Sequence, residues 1–257
     1  MAEARWCPKD DLMREARLRF EAPDVMLDIG CGIMPQGDLV PLVHICVEPY
    51  QEYVDVLRAK TREASDRSYV ILHATWAEAL KVLPAKSVDT VILADVIEHL
   101  EKSEAEELLR QTEAIARRQI LIFTPLGFMP QCHPDGVDAW GLGGAQWQEH
   151  RSGWTPEDFG AGWEFVGSKA YYFEDNLGRP LIEPFGAFWA IRTFDAGVDG
   201  SRLEKRALTR RFSALAAAMN YSALVRHTLG AMGALAVVRA AASKVYRAIV
   251  PVREGRS

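Results

Sequence analysis

Residues 25–32 read Val-Met-Leu-Asp-Ile-Gly-Cys-Gly, a short apolar run that passes directly into two glycines separated by one cysteine. A run this short, closed by turn residues, is the pattern of a strand buried on both faces. The same pattern recurs downstream at Val43–Val47, Tyr69–Ala74, Val88–Ala94 and Gln119–Phe123. Between these runs the spacing predicts helices at Tyr50–Arg58, Trp76–Leu83 and Ser103–Arg117, the last with Ser103 and Glu106 at capping-box spacing. Apolar strands alternating with helices predict a parallel sheet covered on both faces. Upstream, Leu12, Ala16 and Phe20 share one face of a helix over 9–20, which Pro23 stops. Downstream, Trp163–Phe173 and Phe185–Phe194 read as two more strands.

The segment 126–162 has no period and is rich in Gly, Pro and Trp. A loop this long inside a compact domain is usually a lid or a substrate wall. Trp140 and Trp147 are its candidates for stacking on a sugar or aromatic ring.

The chain has 257 residues, 49% hydrophobic and 25% charged, which excludes wholesale disorder and fibrous repeats. Its net charge of −5 is unevenly placed. Residues 202–257 carry eleven Lys and Arg against Glu204 and Glu254, a net +9, which leaves −14 for the first 201 residues. Two units are therefore expected: a domain over 1–200 and a basic, Ala-rich helical extension over 201–257. The extension suits an anionic membrane surface, whereas the acidic body argues against nucleic acid as a partner. The four cysteines form no CxxC pair, so neither a disulfide framework nor a structural zinc site is expected. The charged N-terminus has no signal-peptide core, and no 18-residue apolar run is present. A cytoplasmic protein is expected, with the extension able to reach the inner face of the membrane.

The glycines after the first strand allow a ligand to approach the backbone closely. Glu48, at the end of the second strand, is placed to accept the hydroxyls of a ribose. These features predict a nucleoside cofactor. A nicotinamide fingerprint requires a third glycine at position 35, where this chain has Pro35.

With Asp28 two residues before Gly30, the run resembles the first motif of the class I S-adenosylmethionine-dependent methyltransferases (methyltransferase types 11 and 23), over residues 24–194. The resemblance implies a Rossmann-like, doubly wound sheet of seven strands, mostly parallel with one antiparallel strand. It implies S-adenosylmethionine as cofactor, with Asp28, Gly30, Cys31, Gly32, Glu48, Trp76 and Asp95 around it. The chain departs from the pattern at Ile33-Met34-Pro35, so the helix after the motif is expected to be short or irregular.

Methyl transfer to a hydroxyl gains from a general base, and histidine is the natural candidate. His99 follows the fourth strand, while His133 and His150 flank the long loop. His150 and His99 are the expected catalytic residues. Thr155 and Asp158 have capping-box spacing, with Pro156 at the first helical position. Asp95, Glu98 and His99 would share a helical face, and with His150 they have the donor types of a divalent-metal site. The run is similar to that of small-RNA 2′-O-methyltransferases, but the expectation for this chain is no metal. The expected function is O-methylation of a small molecule or a glycan or lipid-linked acceptor. The alternatives are a metal-assisted RNA 2′-O-methyltransferase, a NAD-dependent oxidoreductase and a non-catalytic interaction protein of the same fold.

Overall fold

The computed structural model describes residues 4–133 and 135–194, which fall within one compact unit, Met1–Thr209. The expectations for 201–257 lie outside the described residues. Eight strands form a single sheet: β1 (Arg5–Trp6), β2 (Val25–Ile29), β3 (Val43–Glu48), β4 (Ser68–His73), β5 (Val88–Ala94), β6 (Ala116–Leu126), β7 (Trp163–Glu174) and β8 (Pro180–Thr193). The helices are α1 (Lys9–Arg17), α2 (Gln51–Thr61), α3 (Trp76–Val82), α4 (Lys102–Ile115) and α5 (Ala145–Gln148), with 3₁₀ turns at Ile97–His99 and Pro156–Asp158.

The sheet order is β1-β7-β8-β6-β5-β2-β3-β4, and β8 alone runs against its neighbours β6 and β7. The expected doubly wound, mostly parallel α/β fold is therefore present. The expected count of seven is corrected to eight, because Arg5 and Trp6 pair in parallel with Val166 and Gly167. A two-residue edge strand is too short to show a period in sequence. Consecutive strands β2 and β3 pair on one side while β5 pairs with β2 on the other. Such a reversal opens a crevice at the carboxyl ends of the strands, where α/β sheets take their ligands.

Every residue of β2 and β3 is buried, which accounts for their near-continuous apolar sequences. On one face Leu12 and Ala16 of α1 pack with Met26, Ile92, Leu121 and Trp189. Full burial of each large side chain there is worth roughly 1.5–3 kcal/mol. Buried Asp89 on β5 joins the start of β2 to this core: its Oδ2 accepts from the backbone N–H of Asp24 and Val25 at 2.9 and 3.0 Å.

Two local expectations are corrected. α4 begins at Lys102 with Glu101 as the flanking residue, so Ser103 lies inside the helix and is not its cap. Arg117 belongs to β6, because the chain leaves α4 straight into the strand. The stretch 33–42 contains no helix. The backbone N–H of Gln36 donates instead to Asp28 Oδ2 at 2.8 Å.

Candidate active site

A cavity of about 640 Å³ opens at the carboxyl ends of β2, β3 and β5. Its floor is the turn after β2. Gly30 and Gly32 adopt φ of +66° and +55°, a region that L side chains avoid. A Cβ on Gly30 would come within 2.9 Å of Val96 Cγ2, and one on Gly32 within 2.5 Å of the Trp140 ring. The turn and the long loop are therefore in close contact.

Glu48 ends β3 facing this turn, only 3% exposed. One carboxylate oxygen accepts from Gly32 N–H and the other from Tyr50 N–H, both at 2.9 Å. Burial raises its pKa to about 7 against these two donors. Glu48 also lines the cavity. Cys31 and Trp76 line the cavity as well, and the Trp76 indole donates to Glu104 at 3.2 Å.

Asp28 is placed differently from these residues. It is buried beneath the turn and does not line the cavity, and its Oδ2 also meets His44 Nε2 at 3.0 Å. Burial opposes charge on His44, but Asp28 and Cys46 prevail and raise its pKa to about 9. Asp28 thus braces the turn from below. His44 was not among the sequence candidates, although a polar residue inside an apolar strand is a signal for a buried partner.

Asp95 sits at the tip of β5 with φ of +53°, held by its N–H to Phe123 O at 2.9 Å. Its side chain is exposed to the cavity, and desolvation by the surrounding protein raises its pKa to about 6. Tyr172 donates to it at 3.4 Å.

The turn Ile97–His99 and the loop segment Arg151–Trp154 are fastened together. Arg151 and Ser152 N–H donate to Glu98 O at 2.7 and 3.1 Å, and the Ser152 hydroxyl and Trp154 indole reach Ile97 O. The expected Thr155–Asp158 capping box is present and shapes the 3₁₀ turn that follows. This docking brings His99 and His150 together, with ring centroids 4.9 Å apart. Nδ1 of His99 lies 3.1 Å from Glu149 O, and Nδ1 of His150 lies 2.6 Å from Met129 O. Burial lowers the pKa of His99 to about 4 and that of His150 below its usual range. Both imidazoles line the cavity and are neutral near pH 7. His133 is buried and does not line the cavity.

Asp138 was also absent from the sequence candidates. It organises the long loop, accepting from the N–H groups of Trp140, Leu142 and Gly144 and from the Tyr53 hydroxyl at 2.5 Å.

No family model and no curated protein matches the chain. Among solved structures it is similar to a SAM-dependent methyltransferase from Archaeoglobus fulgidus, at 16% identity and TM-score 0.45 over 71% of this chain and 91% of that one. A SAM-dependent methyltransferase from Leishmania major aligns at 11% identity and TM-score 0.48, over 71% and 70% of the two chains. Magnesium protoporphyrin IX methyltransferase from Synechocystis PCC 6803, solved with bound SAM, aligns at 16% identity and TM-score 0.41 over 70% and 74%.

Proposed function

We propose that the chain is an S-adenosylmethionine-dependent methyltransferase acting on an oxygen of a small-molecule, glycan or lipid-linked acceptor. The observation that carries this reading is one cavity lined by the Gly30–Gly32 turn, the Glu48 carboxylate, Asp95 and two neutral histidines. The fit to an adenosyl group rests on Glu48, whose buried carboxylate retains lone pairs for two ribose hydroxyls. A dinucleotide fits less well. Residues 33–42 provide no helix N-terminus to receive a pyrophosphate.

When bound, S-adenosylmethionine supplies a methyl group already activated by its sulfonium, so alignment with the acceptor provides most of the rate. The glycine turn admits the ligand to the backbone and Glu48 fixes the ribose. His150 and His99 each keep Nε2 as an acceptor, because each Nδ1 faces a carbonyl and must carry the proton. Either is placed to take the hydroxyl proton of an acceptor. The loop tryptophans Trp140 and Trp147 offer faces for a sugar or aromatic ring.

No described helix is long and apolar enough to cross a membrane. The basic residues 201–257 support a cytoplasmic protein that meets a lipid-linked acceptor at an anionic surface. A transfer assay with labelled S-adenosylmethionine and a panel of phenols, free glycans and lipid-linked glycans tests the reading. Label in an alkali-stable ether product, abolished by Glu48→Ala, is expected. Transfer that Glu48→Ala leaves intact would contradict it.

A further inference from the structure

We infer that a second, smaller cavity beside α1 is the acceptor subsite, and that it takes a single aromatic ring bearing a hydroxyl and an anionic group. The cavity measures about 220 Å³ and is walled by Phe123, Tyr171 and Trp189. It shares Ala94 and Asp95 with the larger cavity, so the two meet at the tip of β5. The acceptor role rests on the methyltransferase reading, whereas the binding itself does not.

Size and shape select the ring. An apolar cavity of about 150 Å³ holds benzene. The smaller cavity therefore admits one six-membered ring with short substituents, and neither a glycan nor an acyl chain. Phe123 and Trp189 are buried, and the Phe123 ring centroid lies 5.1 Å from that of Trp189 and 5.5 Å from that of Tyr171. Aromatic walls at this spacing receive a planar guest through offset or edge-to-face contacts.

Charge orients the guest. The larger cavity is lined by Glu48, Asp95, Glu104, Glu174 and Asp175 and, among the described residues, by no Lys or Arg. Lys9 lines the smaller cavity alone, and it is the one Lys or Arg among the described residues that lines either. Its ammonium lies 5.0 Å from the Tyr171 ring centroid and 5.6 Å from that of Phe173. It forms no ion pair among the described residues, and Asp11, Glu15 and Asp38 are taken by Arg14, Arg5 and Arg17. At the shared end Asp95 accepts from the Tyr172 hydroxyl at 3.4 Å and from the Glu98 carboxyl, so the negative charge of the carboxyl pair rests on Asp95. An anionic substituent is repelled from that end and drawn to Lys9, which turns the hydroxyl toward the larger cavity and its two histidines. In transfer the hydroxyl oxygen bonds the methyl carbon, the carbon–sulfur electron pair returns to sulfur, and the hydroxyl proton passes to one of those histidines.

The test is calorimetric titration of the full-length protein, with and without S-adenosylhomocysteine, using three rings of one shape and different charge: 4-hydroxybenzoate, 4-hydroxybenzamide and 4-hydroxybenzylamine. The anion should bind most tightly and the cation least. Lys9→Gln should weaken 4-hydroxybenzoate by about threefold to tenfold, between the scales of an exposed ion pair and a charge-assisted hydrogen bond, and leave the neutral amide unchanged. Lys9→Glu should reverse the order of anion and cation. Lys9 is exposed, so neither substitution touches the core, and near-UV circular dichroism checks the fold. With labelled S-adenosylmethionine, 4-hydroxybenzoate should yield its alkali-stable methyl ether. Equal affinity for the three rings, no saturable binding, an unchanged order in folded Lys9→Glu, or an alkali-labile methyl ester as product would overturn the assignment. Titration of the same samples with S-adenosylmethionine separates the two claims. Adenosyl binding without charge-selective ring binding removes the subsite alone, and charge-selective ring binding without adenosyl binding removes the methyltransferase reading alone.

Discussion

His99 and His150 face one another with ring centroids 4.9 Å apart, one from the turn after β5 and one from the long loop. They meet because the loop is fastened to that turn, with Ser152 donating to Ile97 O at 3.1 Å and receiving the Trp154 indole at 2.9 Å. Ser152→Ala removes both of these bonds and leaves the Trp154 indole only its longer 3.3 Å bond to Ile97 O. A loss of about 0.5–1.5 kcal/mol is expected from thermal or denaturant unfolding, with a larger fall in methyl transfer than in adenosyl binding. An equal fall in both would place the loop's effect on the cofactor instead.

The ribose contact carries its own pH dependence. Burial raises the Glu48 pKa to about 7, so the carboxylate that accepts ribose hydroxyls forms only as pH rises through that value. Adenosyl affinity should strengthen between about pH 6 and 8 and level off above, by at most tenfold per pH unit for one proton. Isothermal titration across this range checks it, and Glu48→Gln should flatten the curve.

Stability should vary in the opposite direction at His44. Its pKa rises on folding from 6.5 to about 9, held by Asp28 and Cys46 against burial. The contribution is complete below about pH 6.5 and is lost as pH rises through about 9. It amounts to on the order of 3 kcal/mol. Urea unfolding at pH 6 and pH 9.5 should show the loss in the wild type and not in His44→Asn.

Gly32→Ala and Gly127→Ala separate backbone strain from a clash. Both positions have positive φ, which costs an alanine about 1–2 kcal/mol. Only at Gly32 does a Cβ also meet the Trp140 ring, while nothing lies within 4 Å at Gly127. Adenosyl affinity should therefore fall in Gly32→Ala and stay near wild type in Gly127→Ala.

The five inner strands and the glycine turn were legible because their signals are local: apolar runs, two glycines and a carboxylate at a strand tip. β1 was not, since two residues of edge strand owe their pairing to β7 and not to their own pattern. The start of α4 was misread because Ser103 and Glu106 have capping spacing without capping geometry. Asp28 was read as facing the cofactor, but its partner His44 lies on the next strand and draws it under the turn. Asp138 was invisible for the same reason: its role depends on Tyr53 and three loop N–H groups that only the fold assembles. His99 and His150 were each legible as chemistry, while their adjacency depended on the docking of the long loop.

The most direct test of the central claim is calorimetric titration of the purified full-length protein with S-adenosylmethionine, S-adenosylhomocysteine and NAD. Micromolar, one-to-one binding of both adenosyl ligands is expected, lost in Glu48→Ala, with no binding of NAD. Binding of NAD without the adenosyl ligands, or no binding by any of the three, would contradict it.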